Sequence, residues 1–353
     1  MTALSVGAGA ALFLLVAWDI VLTILHPSAR GPLSYLTDRL SWVVVRGVLT
    51  RLGLRRHITA AGPLAMLVNV LAWVGALWLG FALVYLPFVE TLAYDAPGFG
   101  SKGIPEALYM SAVALTTVGF GDVVAPTAAL RFVTVLEAAS GLAAFTAAIT
   151  YVISVYPLVS SIRGTALRLS DLQAPTPEGA TRLLLLGGEQ ELADVHRALI
   201  ETHKNLRRFP VLYYFHAPTL AESVDTVLRG SATLYLVFRW GVKEGAVTYG
   251  GTYGPALHSS LLRLIDDFEA DYIGGVTREV DTPEPLDEAA AREWLSSARR
   301  RVAAVDPDAA ADDEGQLEDL QAFLARAETF LFRLAAENRS EHRPLLEGDG
   351  APE

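Results

Sequence analysis

The sequence predicts an all-α membrane protein that carries a helical cytoplasmic domain after its membrane segments. Three apolar runs, at residues 3–25, 64–89 and 132–156, are each about long enough to span a bilayer. The charges are unevenly divided: residues 1–159 hold eight Lys and Arg and seven Asp and Glu, whereas residues 160–353 hold twenty and thirty-two. We therefore predict a boundary near Ser160 between a membrane part and an acidic soluble part.

Residues 1–26 predict a transmembrane helix rather than a signal peptide, because basic residues follow this run instead of preceding it. Asp19 interrupts the run, and we expect it to pair, in a structural role, with an arginine such as Arg46. Residues 27–63 carry six arginines against one acid, which indicates a cytoplasmic connection and an N-terminus outside the cell. Within this connection, Trp42 to Leu54 predicts an interfacial helix.

A shorter apolar segment lies between the second and third apolar runs. Residues 104–116 begin with Ile104-Pro105-Glu106, and a proline followed by an acid suits the first turn of a helix. The segment is too short to cross a bilayer. We therefore predict a re-entrant helix, which is tolerated at membrane depth only where it is buried in protein or lines an aqueous path.

A seven-residue run with two glycines and a final carboxylate follows this helix: Thr116, Thr117, Val118, Gly119, Phe120, Gly121 and Asp122. Glycine at every second position allows alternating, partly left-handed dihedrals, which let consecutive carbonyl groups face one side. The Thr117 hydroxyl adds one more oxygen, while Val118 and Phe120 point away and pack. A column of such oxygens replaces the water shell of a monovalent cation. The run therefore predicts an ion selectivity filter.

This run resembles the filter signature of the potassium channel family, with Phe120 where tyrosine is commoner. The resemblance covers residues 64–156, and it implies a pore-loop cation channel domain at residues 64–159, built from an outer helix, a pore helix, the filter and an inner helix. It also implies that K⁺, the transported ion, binds at four consecutive residues: Thr117, Val118, Gly119 and Phe120. One chain supplies a quarter of the oxygen ring, so the resemblance implies a homotetramer in the cell membrane that needs no cofactor.

Two residues of the third apolar run are candidates for special roles. Gly141 lies twenty positions after Gly121, where the inner helix of the family often bends; the alternative is a small residue that permits close helix packing. Glu137 is an acid inside the membrane and therefore a functional candidate. It is held by the back of the pore helix, through Ser111 or a backbone group, or it presents negative potential to the pore.

The same run carries apolar side chains at three- and four-residue spacing, which places them on one helix face: Leu142, Phe145, Ile149 and Ile153. We expect this stripe to line the path below the filter. Phe145 and Ile149 are bulky enough for four copies to form a gate. Val152 is expected to lie off the stripe, and Pro157 is predicted to end the helix.

Residues 160–340 predict a helical cytoplasmic domain, and residues 341–353 predict a disordered tail. Helices are expected at 189–208, 219–228, 231–240, 255–272, 286–305 and 315–338, with an acidic linker at 306–314. Thr181 to Gly188 is similar to the first strand and glycine loop of a nucleotide-binding unit. The third glycine of that fingerprint is missing, so we do not predict such a unit.

The composition argues against several other classes of function. The chain has no cysteine, which excludes disulfides and thiolate metal sites. The histidines are scattered (His196, His203, His216 and His258), and no catalytic constellation is recognisable, so we expect no enzyme. The acidic balance argues against nucleic acid. Beside the potassium-selective channel, two alternatives stay open: a non-selective cation channel, and a non-conducting membrane-anchored scaffold. The cytoplasmic domain is expected to drive assembly, to sense an unknown ligand, or both.

Overall fold

The computed structural model describes residues 2–26, 31–51, 59–94, 103–247, 250–273, 288–311, 317–338 and Leu345. The chain divides into two compact units. The first, called the membrane unit below, comprises Met1–Val159 and Leu206–His216. The second, called the helical unit, comprises Ser160–Asn205 and Ala217–Glu353. The sequence did not indicate that residues 206–216 would belong with the membrane segments.

Within the described ranges, the membrane unit contains these helices: α1 (Thr2–Leu25), α2 (Pro32–Arg51), α3 (Ala61–Tyr85), α4 (Ile104–Leu115) and the greater part of α5 (Ala128–Asp171). Helices α1, α3 and α5 are long and apolar enough to cross a membrane. Two short strands, β1 (Ala93–Tyr94) and β2 (Val123–Val124), pair antiparallel. Strand β2 directly follows residues 116–122, which are called the filter run below. The prediction of an all-α membrane protein is confirmed.

Helices α1 and α3 approach closely through a glycine on each. A Cβ placed on Gly9 would meet the carbonyl oxygen of Gly80 and would lie 2.8 Å from a methyl carbon of Val84. The rings of Phe13 and Phe81 pack beside this contact, with centroids 5.5 Å apart. Small residues let two membrane helices pack at short range, where dispersion forces hold them together.

Asp19 joins α1 to the start of α2. Its carboxylate accepts hydrogen bonds from the backbone N–H of Leu33 (2.6 Å) and of Ser34 (3.2 Å). It also accepts from the Ser34 hydroxyl (2.5 Å) and from Trp73 Nε1 of α3 (2.8 Å). The first turn of a helix has free N–H groups and a positive dipole end, which suit a buried carboxylate. Asp19 thus has neutral donors as partners, and the side chain of Arg46 lies outside the described residues.

Helix α2 is longer than the predicted interfacial helix, because it begins at Pro32 rather than near Trp42. Its buried face carries polar residues, among them Thr37, whose hydroxyl lies 2.9 Å from Oδ1 of Asn69 in α3. Its outward face is apolar, with Leu40 and Val44 exposed. The arrangement reverses that of a helix on a soluble domain, and it suits contact with lipid.

Helix α5 continues through Pro157, so the prediction that this residue ends the inner helix is wrong. Proline lacks an N–H, and the carbonyl of Ile153 therefore loses its helical partner, at a cost of about 3 kcal/mol. Val155 and Val159, on either side of the proline, are buried. The burial of these side chains offsets the local cost of the proline. A prediction from the proline alone does not include that burial.

The described part of the helical unit contains the end of α5 and six further helices: α6 (Pro177–Leu186), α7 (Gly188–Arg208), α8 (Val224–Leu236), α9 (Gly250–Phe268), α10 (Glu288–Val305) and α11 (Leu317–Asn338). Wider π-helical turns extend α8 over Val237–Gly241 and α9 over Glu269–Ile273. The stretch 181–186 that suggested a strand is helical, because the Thr176 side chain caps α6 by accepting from Gly179 N at 3.1 Å.

The helices predicted at 219–228 and 231–240 are a single helix, α8, with one π-helical extension. The Thr219 hydroxyl donates to Glu222 at 3.2 Å, and only a short 3-10 turn forms there. Ser223 caps α8 instead, because its hydroxyl accepts from Thr226 N at 3.2 Å. Gly230 does not interrupt α8; it is buried where the helix packs closely.

Two segments predicted to lack structure contain ordered residues. In the stretch 306–314, Ala309 is buried and its carbonyl accepts from Lys243 N at 2.8 Å. In the tail, Leu345 is buried and its backbone N–H donates to the Glu328 carboxylate. Residues 312–316 and the rest of 341–353 lie outside the described residues, as does most of the loop 94–102 before the pore helix.

Candidate functional site

The backbone of residues 116–122 alternates between ordinary and left-handed conformations. Thr117, Gly119 and Gly121 have φ of +59°, +60° and +80°, whereas Val118 and Phe120 between them do not have positive φ. Glycine adopts such angles freely, but threonine does so at a cost of about 1–3 kcal/mol that the surrounding structure must hold. Positive φ at every second residue was the conformation that the glycine spacing predicted.

Hydrogen bonds to the C-terminal end of α4 fix the start of this run. The carbonyl of Val113 accepts from the backbone N–H of both Val118 (3.2 Å) and Gly119 (3.4 Å), and the Thr116 hydroxyl donates to the Ala112 carbonyl at 2.7 Å. The last turn of a helix carries the negative end of its dipole. This end of α4 therefore favours a cation near the start of the filter run.

A tyrosine that the sequence analysis missed holds the other end of the run. The hydroxyl of Tyr109, on α4, donates to Oδ2 of Asp122 at 2.6 Å, while Oδ1 accepts from Val123 N at 3.0 Å. Tyr109 lies thirteen residues before Asp122, so the helix and the extended run fold back on each other. An aromatic residue on a helix that faces an acid across a turn was the available signal.

The side chains of Val118 and Phe120 are 54% and 70% exposed in the single chain. From the sequence, both were expected to pack and so to hold the run taut. More than half of each side chain is therefore uncovered by the described residues of one chain.

Glu137 contacts α4, the helix that precedes the filter run. It is completely buried, and its Oε1 lies 2.5 Å from the hydroxyl of Ser111 on α4. The Ser111 hydroxyl also lies 2.8 Å from the carbonyl oxygen of Trp78 on α3. The hydroxyl of Tyr85 donates to Thr134 at 3.0 Å and is also hydrogen-bonded to Glu137, so it belongs to the same cluster of polar side chains. The inner, pore and outer helices are thus joined at one point, which was one of the two arrangements left open by the sequence.

Gly141 packs against the last residue of the pore helix. A Cβ at this position would meet the carbonyl oxygen of Leu115, which directly precedes the filter run. Helix α5 passes Gly141 without interruption. The contact favours the packing role for this glycine, and the hinge stays a prediction.

The predicted stripe on α5 is exposed in the single chain, including Phe145 and Ile149. The opposite face is buried and contains Ala144 and Tyr151. Val152 is 41% exposed and follows Phe145 by seven residues, so the two lie on nearly the same side of the helix. The expectation that Val152 lies off the stripe is therefore wrong, and Ala144 is the better reference position.

The described residues contain no group of three or more His, Cys, Asp or Glu that could bind a metal ion. His203 pairs with Asp267 at 2.8 Å, and His196 bonds Ser260 at 3.2 Å. His258 stacks on Tyr235 with ring centroids 4.6 Å apart. Burial lowers the pKa of His196 and of His258, so both resist protonation. These contacts are those of histidines within a packed helical domain.

Residues 70–156 match a protein-family model described as an ion channel. The chain is also similar to an uncharacterized membrane protein, YdjJ, of Bacillus subtilis strain 168, with 25% identity over 230 residues. The alignment covers 60% of this chain and 62% of that protein. No solved structure matches the chain. The match to the family model begins within α3 and ends just before Pro157, so the matched region contains the filter run. The match to an ion-channel family model points to a protein that is not an enzyme.

Proposed function

We propose that the protein is a homotetrameric potassium-selective channel of the cell membrane, with residues 116–122 as its selectivity filter. The observation that carries the proposal is the positive φ at Thr117, Gly119 and Gly121. In an extended chain, successive carbonyl groups point to opposite sides. Left-handed residues at alternate positions turn them toward one side, where they form a column of oxygens that a dehydrated K⁺ can enter.

The electrostatic setting of the run supports cation selectivity. The C-terminal end of α4 directs its dipole at the start of the run, and Asp122 adds a carboxylate at the other end. Arg131, outside the run, donates its Nε–H to the carbonyl of Ala125 at 3.0 Å. The ions would be held by backbone oxygens of residues 117–120 together with the Thr117 hydroxyl, and no bound cofactor is needed.

The exposure of the filter run supports an assembly of four chains. A single chain surrounds an ion on one side only, and backbone-carbonyl filters are built from four loops around an axis. Val118 and Phe120 would then pack against the neighbouring copy, which explains side chains so exposed in one chain. The exposed stripe on α5 would line the path below. In this arrangement the N-terminus lies outside, and the helical unit lies in the cytoplasm.

Ion flux into liposomes that contain the purified protein tests the filter assignment. Gly119→Ala places a Cβ at φ +60°, and we expect it to abolish K⁺ flux, because the carbonyl column would be distorted in all four subunits. Gly103→Ala is the matched control. Gly103 has an extended φ of −160°, and its added Cβ would find only Pro105 Cδ at 3.9 Å.

Flux in Gly103→Ala but not in Gly119→Ala would support the filter. Equal K⁺ flux in both variants would refute it. Wild-type flux of Na⁺ equal to that of K⁺ would indicate the non-selective cation channel. No flux in the wild type would indicate the non-conducting scaffold.

A further inference from the structure

One segment of the C-terminal half belongs to the membrane unit. Residues 209–216, which we call the strap, follow the end of α7 at Arg208 and form a 3-10 turn over Pro210–Tyr214. They pack with the membrane helices, although the chain before Leu206 and after His216 belongs to the helical unit. The strap is therefore tied at both ends to the helical unit by covalent bonds.

The strap contacts the inner helix at two places. The ring of Phe209 lies 6.2 Å from that of Tyr151, and the ring of Phe215 lies 5.8 Å from that of Tyr156, edge to face. Tyr151 and Tyr156 follow Ile149 on α5, so both lie beyond the proposed gate residues. Any swing of the lower part of α5 would have to move these two side chains.

The strap also contacts α2 and α3. His216 stacks on Trp42 of α2, with centroids 4.9 Å apart and planes 7° from parallel, and Tyr214 lies 5.6 Å from the same ring. At the start of α3, Gly62 leaves room for Phe215: a Cβ there would lie 2.5 Å from the Phe215 ring. A ring this close to a backbone is held in a slot that only glycine provides.

Most of the strap is buried. Phe209, Val211, Leu212, Tyr213 and Tyr214 have almost no exposed surface. Pulling the strap away would expose these apolar side chains to water, which is strongly unfavourable. The strap and the helices that it touches therefore move together.

We propose that the strap transmits movement of the helical unit to the inner helix and so controls opening of the pore. The proposal rests on the function proposed above. Helix α5 itself runs into the helical unit, but a single helix end can rotate or slide without moving a gate. The strap adds a second connection on the side of the inner helix that carries Tyr151 and Tyr156, and two connections convert a movement of the helical unit into a tilt of α5.

The test uses single-channel recording of the full chain and a double-mutant cycle. Gly62→Ala is expected to push the Phe215 ring from its slot and to change the open probability at least threefold, with unchanged single-channel conductance and reversal potential. Gly75→Ala, on the same helix, is the matched control, because nothing lies within 4 Å of its added Cβ. Phe215→Ala should also change the open probability. Adding Gly62→Ala to Phe215→Ala should then have no further effect, because the ring that it displaces is gone.

An active channel whose open probability is the same in Gly62→Ala, Phe215→Ala and Gly75→Ala would overturn the proposal, and so would independent, additive effects of the first two. A second measurement does not need current. In this cysteine-free chain, Tyr156→Cys with Phe215→Cys should be joined within one chain by a short bifunctional thiol reagent, as mass spectrometry would show. Absence of that cross-link would refute docking of the strap. If the cross-link forms but the wild type carries no current, the proposed function fails, and the coupling fails with it.

Discussion

Gly141 permits a sharp test of how the inner helix meets the filter. Gly141→Ala adds one carbon that would meet the Leu115 carbonyl oxygen, at the last residue of α4 before the filter run. That oxygen belongs to the backbone, so it has no alternative rotamer. Either α5 or the end of α4 must shift to make room.

The size of the effect follows from a comparison within the same membrane unit. Alanine in place of glycine in a helix normally stabilises by about 0.5–1 kcal/mol. Gly75, on α3 of the same membrane unit, has nothing within 4 Å of an added Cβ, so Gly75→Ala should show that gain. Gly141→Ala should have the same gain and, in addition, an overpacking cost of about 1–3 kcal/mol. The two variants should therefore differ by about 1–3 kcal/mol per chain, to the disadvantage of Gly141→Ala.

Thermal unfolding of the purified protein in detergent measures this difference. For the membrane unit, which has about 170 residues, the expected gap corresponds to melting temperatures about 2–12 °C apart. Equal melting temperatures for Gly141→Ala and Gly75→Ala would refute the packing interpretation. If Gly141→Ala then changed the open probability at unchanged stability, the hinge would be supported instead.

Two further predictions concern stability. Gly9→Ala should lower the melting temperature, because its Cβ would meet Gly80 at an overpacking cost of about 1–3 kcal/mol. Gly7→Ala should not lower it, because nothing lies within 4 Å of its added Cβ. Equal melting temperatures for the two variants would contradict the close α1–α3 contact. Burial, and secondarily the Arg239 charge, lowers the pKa of His258 in the folded state. Below about pH 6.5 the unfolded chain therefore binds more protons than the folded chain. The stability of the fold should fall as the pH drops from that value. His258→Gln should reduce the fall of the melting temperature at acid pH. Identical pH profiles of the melting temperature for this variant and the wild type would contradict this role of His258.

The conformation of the filter run follows from local chemistry, and so it was predictable. Gly119 and Gly121 are the residues that accept positive φ, and their spacing alone predicted the alternation. Thr117 continues the alternation without being a glycine, because the end of α4 and the Val113 carbonyl fix the geometry around it. The re-entrant helix was predictable for a similar reason, since its length and its Pro105-Glu106 start are local signals.

Features that depend on distant packing were not predictable in the same way. Pro157 is a local signal for a helix end, and buried neighbours of α5 override it. Thr219 and Ser223 both have the chemistry of a helix cap, and only the packed structure selects Ser223. The strap begins about forty residues after the end of α5 in sequence. Its cluster of aromatic residues was visible, but nothing in the sequence indicated that it packs against the membrane helices.

The reversal potential of the wild-type channel, with K⁺ on one side of a bilayer and Na⁺ on the other, tests the central claim most directly. The proposed four-fold column of backbone oxygens at residues 117–120 predicts a strongly shifted reversal potential, of the sign given by K⁺ flow alone, at every concentration ratio tried. A reversal potential near zero, with equal K⁺ and Na⁺ concentrations on the two sides, would show that both ions pass equally and would contradict the account.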